Sequence, residues 1–323
     1  MQEPGDGHAG LPAYARLMKH DGAPIRRAWL NLMLRLLVKR SLKPGVDIAR
    51  LRVLQAPLDQ RFARPDPQAR FTPVSCAGVA AQWIDVPESR PRRVIFYLHG
   101  GGFMFRFPNT HGALVTRWCR RLGARALMVD YRLAPEHRYP AGADDCEAAY
   151  RWLLAQGFEG RNIVIGGDSA GGNLLLATLH RLKTAAQPLP ACAVAISPFV
   201  DFTLSGESLI ANEARDPMFT LKAFHALRPL YVDPEQMLLP DVSPLFADFS
   251  GLPPILFQAS NSEMLRDDAL RSAQRAHAQG VAVELELWEN LPHVFQALHK
   301  LPQAQAALDS IVRFVSAHAG WAA

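Results

Sequence analysis

Asn162-Ile163-Val164-Ile165-Gly166-Gly167-Asp168-Ser169-Ala170-Gly171-Gly172-Asn173 decides the fold of this chain. An apolar strand runs into a glycine-rich turn, and a helical pattern begins at once with Leu174. Within the turn, Gly167-x-Ser169-x-Gly171 fits a nucleophile elbow. A serine on so sharp a strand-to-helix turn needs small neighbours, because the backbone is strained and closely packed there. The turn presents the Ser169 hydroxyl at the carboxyl edge of a sheet, with the N-terminus of the following helix facing any developing negative charge. The five-residue pattern alone arises by chance in about one chain in ten of this length, so the strand-helix context carries the reading.

Outward from the elbow, strands and helices alternate. Strand-like runs at 94–98, 126–130, 162–165, 193–197, 255–259 and 281–288 are interleaved with helical patterns at 112–122, 144–156, 174–183, 267–279 and 303–317. This alternation predicts an α/β fold with a mostly parallel central sheet flanked by helices. The run Val94-Ile95-Phe96-Tyr97-Leu98 is continuously apolar, as a strand buried on both faces should be. Residues 14–20 and 25–40 read as two further helices, the second stopped by Lys43-Pro44-Gly45 and followed by the connector Arg64-Pro65-Asp66-Pro67. Residues 199–250 break the rhythm with prolines, a helical piece at 221–230 and no clear strand. Ligands of open α/β sheets sit beyond the carboxyl ends of the strands, so this insertion and the N-terminal helices are expected to form a helical cap. The expected organisation is a cap segment at 1–55, a core at 56–198, a cap insertion at 199–250 and the rest of the core at 251–323.

Composition narrows the function. The 323 residues, 49% hydrophobic and 20% charged, describe a globular chain and exclude disorder and low-complexity classes. The net charge of +5 is spread along the chain, apart from an enrichment near the N-terminus, which speaks against a nucleic-acid footprint. Cys76, Cys119, Cys146 and Cys192 lie far apart without metal-ligand spacing, as expected of reduced thiols with no metal site. The stretch 28–38 is too short to span a bilayer and is broken by Arg35, and Met1-Gln2-Glu3-Pro4-Gly5-Asp6 lacks a basic leader. A cytoplasmic chain without stable membrane insertion is the expectation. The basic flanks Arg26, Arg27, Lys39 and Arg40 would permit an interfacial helix, but a helix packed on its own protein is favoured.

A second motif, His99-Gly100-Gly101-Gly102, follows the strand at 94–98; chance produces it in roughly one such chain in 250. Three glycines let the loop approach a substrate and turn backbone N–H groups toward one point. The oxyanion donors expected are Gly101, Gly102 and Ala170. A phosphate-binding loop would want a helix directly after it, and Phe103-Met104-Phe105-Arg106-Phe107-Pro108 is a poor helix start.

With Tyr131-Arg132-Leu133-Ala134-Pro135-Glu136-His137 between them, the two motifs resemble those of the hormone-sensitive-lipase family of carboxylesterases, over about residues 70–318. The resemblance implies an α/β-hydrolase fold, a helical cap, no cofactor, and hydrolysis of short- to medium-chain acyl esters through an acyl-enzyme.

Chain order in such enzymes is nucleophile, acid, histidine. Of His277, His293, His299 and His318, only His293 falls in a loop directly after a strand; His277 and His299 read as helical and His318 lies near the chain end. The acid region reads Glu263-Met264-Leu265-Arg266-Asp267, where many relatives have Asp-Pro-Leu-x-Asp. Glu263 is chosen as triad acid, and Asp267 is the rival, better suited to the first turn of the next helix. Trp29, Phe103, Phe199, Phe219 and Phe295 are candidates for lining an acyl or alcohol pocket. Two other functions fit the same fold: a non-catalytic small-ligand receptor, and an amidase or peptidase using the same triad. A homodimer is left open.

Overall fold

Alternate side chains of Val94–Leu98 serve opposite layers of the molecule: Val94, Phe96 and Leu98 pack into one hydrophobic core, Ile95 and Tyr97 into another. That period-two division is what a central strand covered on both faces requires. The computed structural model describes residues 11–20, 22–40, 45, 47–64 and 66–321. The opening at 1–6, Lys43-Pro44 of the expected helix stop and Pro65 of the connector lie outside them.

In chain order the elements are β1 (Ala15–Met18), α1 (Pro24–Leu34), α2 (Ile48–Phe62), β2 (Arg70–Cys76), β3 (Val79–Asp85), β4 (Val94–Leu98), α3 (Pro108–Leu122) and β5 (Arg125–Val129). There follow α4 (Ala141–Ala155), β6 (Ile163–Asp168), α5 (Ala170–Thr184), β7 (Cys192–Ile196), α6 (Ser208–Ala211) and α7 (Leu221–Leu227). The chain closes with β8 (Ile255–Ser260), α8 (Arg266–Ala278), β9 (Val283–Trp288) and α9 (Pro302–Ala319). Among the described residues, nine strands form one sheet in the order β1-β9-β8-β7-β6-β4-β5-β3-β2. It is parallel from β1 to β5, with β3 antiparallel to β5 and the β2–β3 hairpin at the far edge. Helices α3 and α9 cover one face, and α4, α5 and α8 supply the core on the other.

Register places the site. Leu98 pairs with Gly167, Asp168 with Ile196, Ile196 with Gln258, and Ser260 with Trp288. The strands therefore end in step, and the loops after β4, β6, β7, β8 and β9 emerge at one carboxyl edge. Residues 199–250 form α6, α7 and short 3₁₀ turns, with no strand among the described residues.

One local expectation is corrected, and two elements were not anticipated. Residues 14–20 are not helical: Ala15–Met18 is a strand, parallel to β9 from Ala15↔Leu285 to Met18↔Trp288. The unpaired edge of β9 offers backbone hydrogen bonds that outweigh a weak local preference. Helix α2 was not anticipated; Asp47 caps it by accepting from the Arg50 N–H at 3.0 Å, and it tolerates Pro57 in its interior. The β2–β3 hairpin was also missed, because its turn uses Ala77 and Gly78 at φ of 54° and 90° where Asn-Gly is the usual signal. No helix among the described residues is long and apolar enough to cross a membrane.

Candidate active site

Ser169 joins β6 to α5 with φ 53° and ψ −119°, a conformation that costs about 1–3 kcal/mol and persists only where its surroundings enforce it. They do so through the backbone: the Ser169 N–H donates to the Ile196 carbonyl at 2.9 Å, and its carbonyl accepts from Phe199 and Asn173. The glycines of the elbow are required sterically. A Cβ on Gly171 would collide with the Leu98 carbonyl, and one on Gly167 with the Gly171 carbonyl.

The loop after β4 approaches this turn from the neighbouring strand. Gly101 and Gly102 have φ of +119° and +61°, and the Gly101 carbonyl accepts from the N–H groups of Met104 and Phe105. Among the described residues, the N–H groups of Gly101, Gly102 and Ala170 donate to no backbone carbonyl. Asp168 ties loop to elbow. Its wholly buried carboxylate accepts from the Gly100 N–H at 3.0 Å and the Tyr97 hydroxyl at 2.8 Å, and lies 3.2 Å from His111 Nε2. Burial alone would raise its pKa; the His111 charge and these hydrogen bonds outweigh burial and hold it below the usual carboxylate value. His99 stacks on Tyr131 at 4.3 Å, and burial drives its pKa down to about 3, so the ring is neutral.

Across the sheet edge, the loops after β8 and β9 bring Glu263 and His293 together. His293 Nδ1 lies 2.5 Å from Glu263 Oε2, and both residues are buried. The other carboxylate oxygen, Oε1, accepts from the Ser260 N–H at 2.7 Å and the Ser197 hydroxyl at 2.9 Å. Among the described residues, the buried His293 Nε2 has no hydrogen-bond partner. Burial would lower the His293 pKa, but the Glu263 hydrogen bond and charge, aided by the charges of Asp216 and Asp168, win and raise it. Asp267 lies elsewhere: on α8 it accepts from the Ser208 N–H at 2.8 Å and from Arg266 Nε at 2.8 Å.

Two residues of this cluster escaped the sequence reading. Ser197, just past β7, bridges Glu263 and the Val294 N–H. Buried Asp216, in the insertion, accepts from Met264, Met218 and Phe219 N–H groups, joining the insertion to the loop that carries Glu263. Their partners are mostly backbone amides, which leave no trace in a linear motif.

The aromatic candidates divide. Phe219 packs edge-on against His293 at 4.9 Å between ring centres. Phe103 stacks on Tyr231 at 4.0 Å and meets Phe199 and Phe202 beside the glycine loop. Phe295 is fully buried in a separate core with Trp288, Leu291 and Leu301. Trp29 stands on α1 with 63% of its surface exposed. His299 sits in a turn before α9 rather than in a helix, and His277 and His318 lie on α8 and α9. All four cysteines are free and buried.

Comparison with known proteins places the chain in a class. Residues 95–297 match the alpha/beta hydrolase fold family. An esterase of Acinetobacter venetianus is 37% identical over 81% of this chain and 88% of its own length. An acetyl-hydrolase of Streptomyces hygroscopicus is 34% identical over 76% of this chain and 83% of its own. A crystal structure of an esterase from the bacterial hormone-sensitive lipase family superposes with a TM-score of 0.86 at 36% identity, covering 92% of this chain and 99% of the other. The fold is that of the α/β hydrolases. Within them, the chain belongs to the hormone-sensitive-lipase family of carboxylesterases and is a carboxylic ester hydrolase.

Proposed function

We propose that the protein hydrolyses short- to medium-chain acyl esters with Ser169 as nucleophile, His293 as general base and acid, and Glu263 as the group that orients the imidazole. The observation that carries this reading is the buried His293 ring, clamped at Nδ1 by Glu263 while Nε2 is left without a partner at the sheet edge that presents Ser169. A ring so held keeps its proton on Nδ1 and its lone pair on Nε2, the tautomer a base requires.

In the proposed cycle, His293 Nε2 takes the Ser169 hydroxyl proton as Oγ bonds to the ester carbonyl carbon. The carbonyl electron pair moves to oxygen, where the N–H groups of Gly101, Gly102 and Ala170 receive it. Each such donor is worth about 3 kcal/mol to the transition state. The tetrahedral species collapses with cleavage of the bond to the alcohol oxygen, which leaves with the proton from His293. Water attacks the acyl-enzyme carbon and gives a proton to His293; the acyl–Oγ bond then breaks as Ser169 Oγ takes that proton back, releasing the acid and restoring the enzyme. The similarity to an acetyl-hydrolase supports the short end of the acyl range, and the packed group of Phe103, Phe199, Phe202 and Tyr231 supplies apolar walls.

A fluorophosphonate probe tests the assignment: one covalent adduct is expected, on Ser169. Ser169→Ala should abolish both labelling and nearly all nitrophenyl acetate hydrolysis while circular dichroism stays native. Labelling elsewhere, or activity retained by the variant, overturns it.

A further inference from the structure

Helix α1 inverts the usual relation between a surface helix and its protein. Ile25, Trp29, Leu32 and Leu36 recur at helical spacing on one stripe, continuing into the π-helical turn Arg35–Lys39, and that stripe faces outward. Their exposures are 85%, 63%, 50% and 39%, and α1 has no buried residue at all. Leu30 packs on the core around Trp288 and Leu291, and cation-to-carbonyl hydrogen bonds tie the helix down. Arg26 donates to the Lys300 carbonyl, Arg35 to the Ala214 and Arg215 carbonyls, and Lys39 to the Glu213 and Asp216 carbonyls. Helix α2 also carries an exposed apolar stripe: Ile48 and Leu51 pack on the main core and Arg52 donates to the Met104 carbonyl, while Val53, Leu54 and Leu58 are each more than half exposed.

Charge says what would cover this surface. Between positions 24 and 64 lie ten Lys or Arg against two acids, Asp47 and Asp59, a net of +8 in a chain whose total is +5. The remainder is therefore net −3. Among the described residues, the only carboxylate salt bridge these cations make is Arg52 to Glu136. A second copy seated face to face would set like charge against like. An anionic lipid surface satisfies both halves of the pattern, taking apolar side chains into its acyl boundary and cations at its headgroups.

We propose that α1 and α2 form a docking face for an anionic lipid surface, with the chain lying on the surface rather than spanning it. Both helices are anchored beside the site, α2 to the loop after β4 and α1 to the segment whose Asp216 side chain holds the Glu263 loop. Docking would thus bring the carboxyl edge of the sheet to the lipid. The proposal stands on the exposed stripe and the charge, whichever residues perform catalysis.

The test uses the full chain with phosphatidylglycerol and phosphatidylcholine vesicles at low and high salt. Sedimentation with the anionic vesicles is expected, weakened by salt, together with a blue shift in tryptophan emission that Trp29→Phe removes. At about 1 kcal/mol per cation, Arg27→Gln/Arg50→Gln/Arg61→Gln should weaken partition on the order of a hundredfold. Ile25→Asn/Leu32→Asn/Leu58→Asn should abolish it, and both variants should keep native circular dichroism and hydrolysis of a water-soluble nitrophenyl ester. Absence of binding, equal binding to neutral vesicles, binding indifferent to the triple substitutions, or a dimer in light scattering that these substitutions dissociate would each overturn the proposal.

Discussion

Replacing Glu263 by Gln removes one charge and almost no volume, so it isolates the role of the carboxylate. In the native protein Oε1 faces two donors, the Ser260 N–H and the Ser197 hydroxyl, while Oε2 faces His293 Nδ1 at 2.5 Å. A glutamine must keep its carbonyl oxygen toward the two donors, because an NH₂ there would confront them. Its NH₂ then points at Nδ1, which can only accept, and the imidazole proton moves to Nε2. An imidazole in that tautomer cannot take a proton from Ser169. The expected loss in kcat/KM for a nitrophenyl ester is about 10³–10⁴-fold, equivalent to roughly 4–5.5 kcal/mol of transition-state stabilisation. Asp267→Asn is the paired control. Its carboxylate serves Ser208 and Arg266, so kcat/KM should stay within about tenfold of native. Initial rates at saturating and limiting ester, with circular dichroism for fold, decide the matter. A Glu263→Gln enzyme retaining more than about a tenth of native activity, or a larger loss at Asp267, would refute the tautomer argument.

The pH profile gives a second check. Glu263 raises the His293 pKa against the effect of burial, so the acidic limb of kcat/KM should have its midpoint above about 6.5; a midpoint well below that value would contradict the assignment of His293. The same shift means that protonated His293 adds stability below about pH 6.5 which fades as pH rises through its folded value, measurable as a shift in urea midpoint. Asp168→Ala should destabilise the fold by about 3–5 kcal/mol, since it strands the Tyr97 hydroxyl, the Gly100 N–H and a buried His111. It should also lower kcat by loosening the glycine loop, and a variant of native stability and rate would show that Asp168 does not brace the site.

Several features were legible in the residues because they are local. The spacing around Ser169 announced a strand-turn-helix, since only small side chains fit between Leu98 and the new helix. Val94–Leu98 announced a doubly covered strand through its unbroken apolar run. Glu263 and Asp267, four positions apart, were told apart in sequence only by position, Asp267 suiting the first turn of the next helix. Their surroundings differ only through partners from distant segments, His293 for one and Ser208 for the other. Likewise Phe295 and Phe219 look alike in sequence, yet one is buried beneath the β9 loop and the other faces His293.

Period and motif thus determined the alternation of strands and helices from β4 onward, the parallel sheet, and the turns around Ser169 and Gly100–Gly102, because backbone sterics bind those features to neighbouring residues. Tertiary structure alone decided that residues 15–18 pair with β9, that Ser197 and Asp216 serve the acid loop, and that α1 turns its apolar stripe outward. Those outcomes rest on hydrogen bonds and burial between segments dozens to hundreds of residues apart, where the energy belongs to the pair of surfaces and neither sequence carries it by itself.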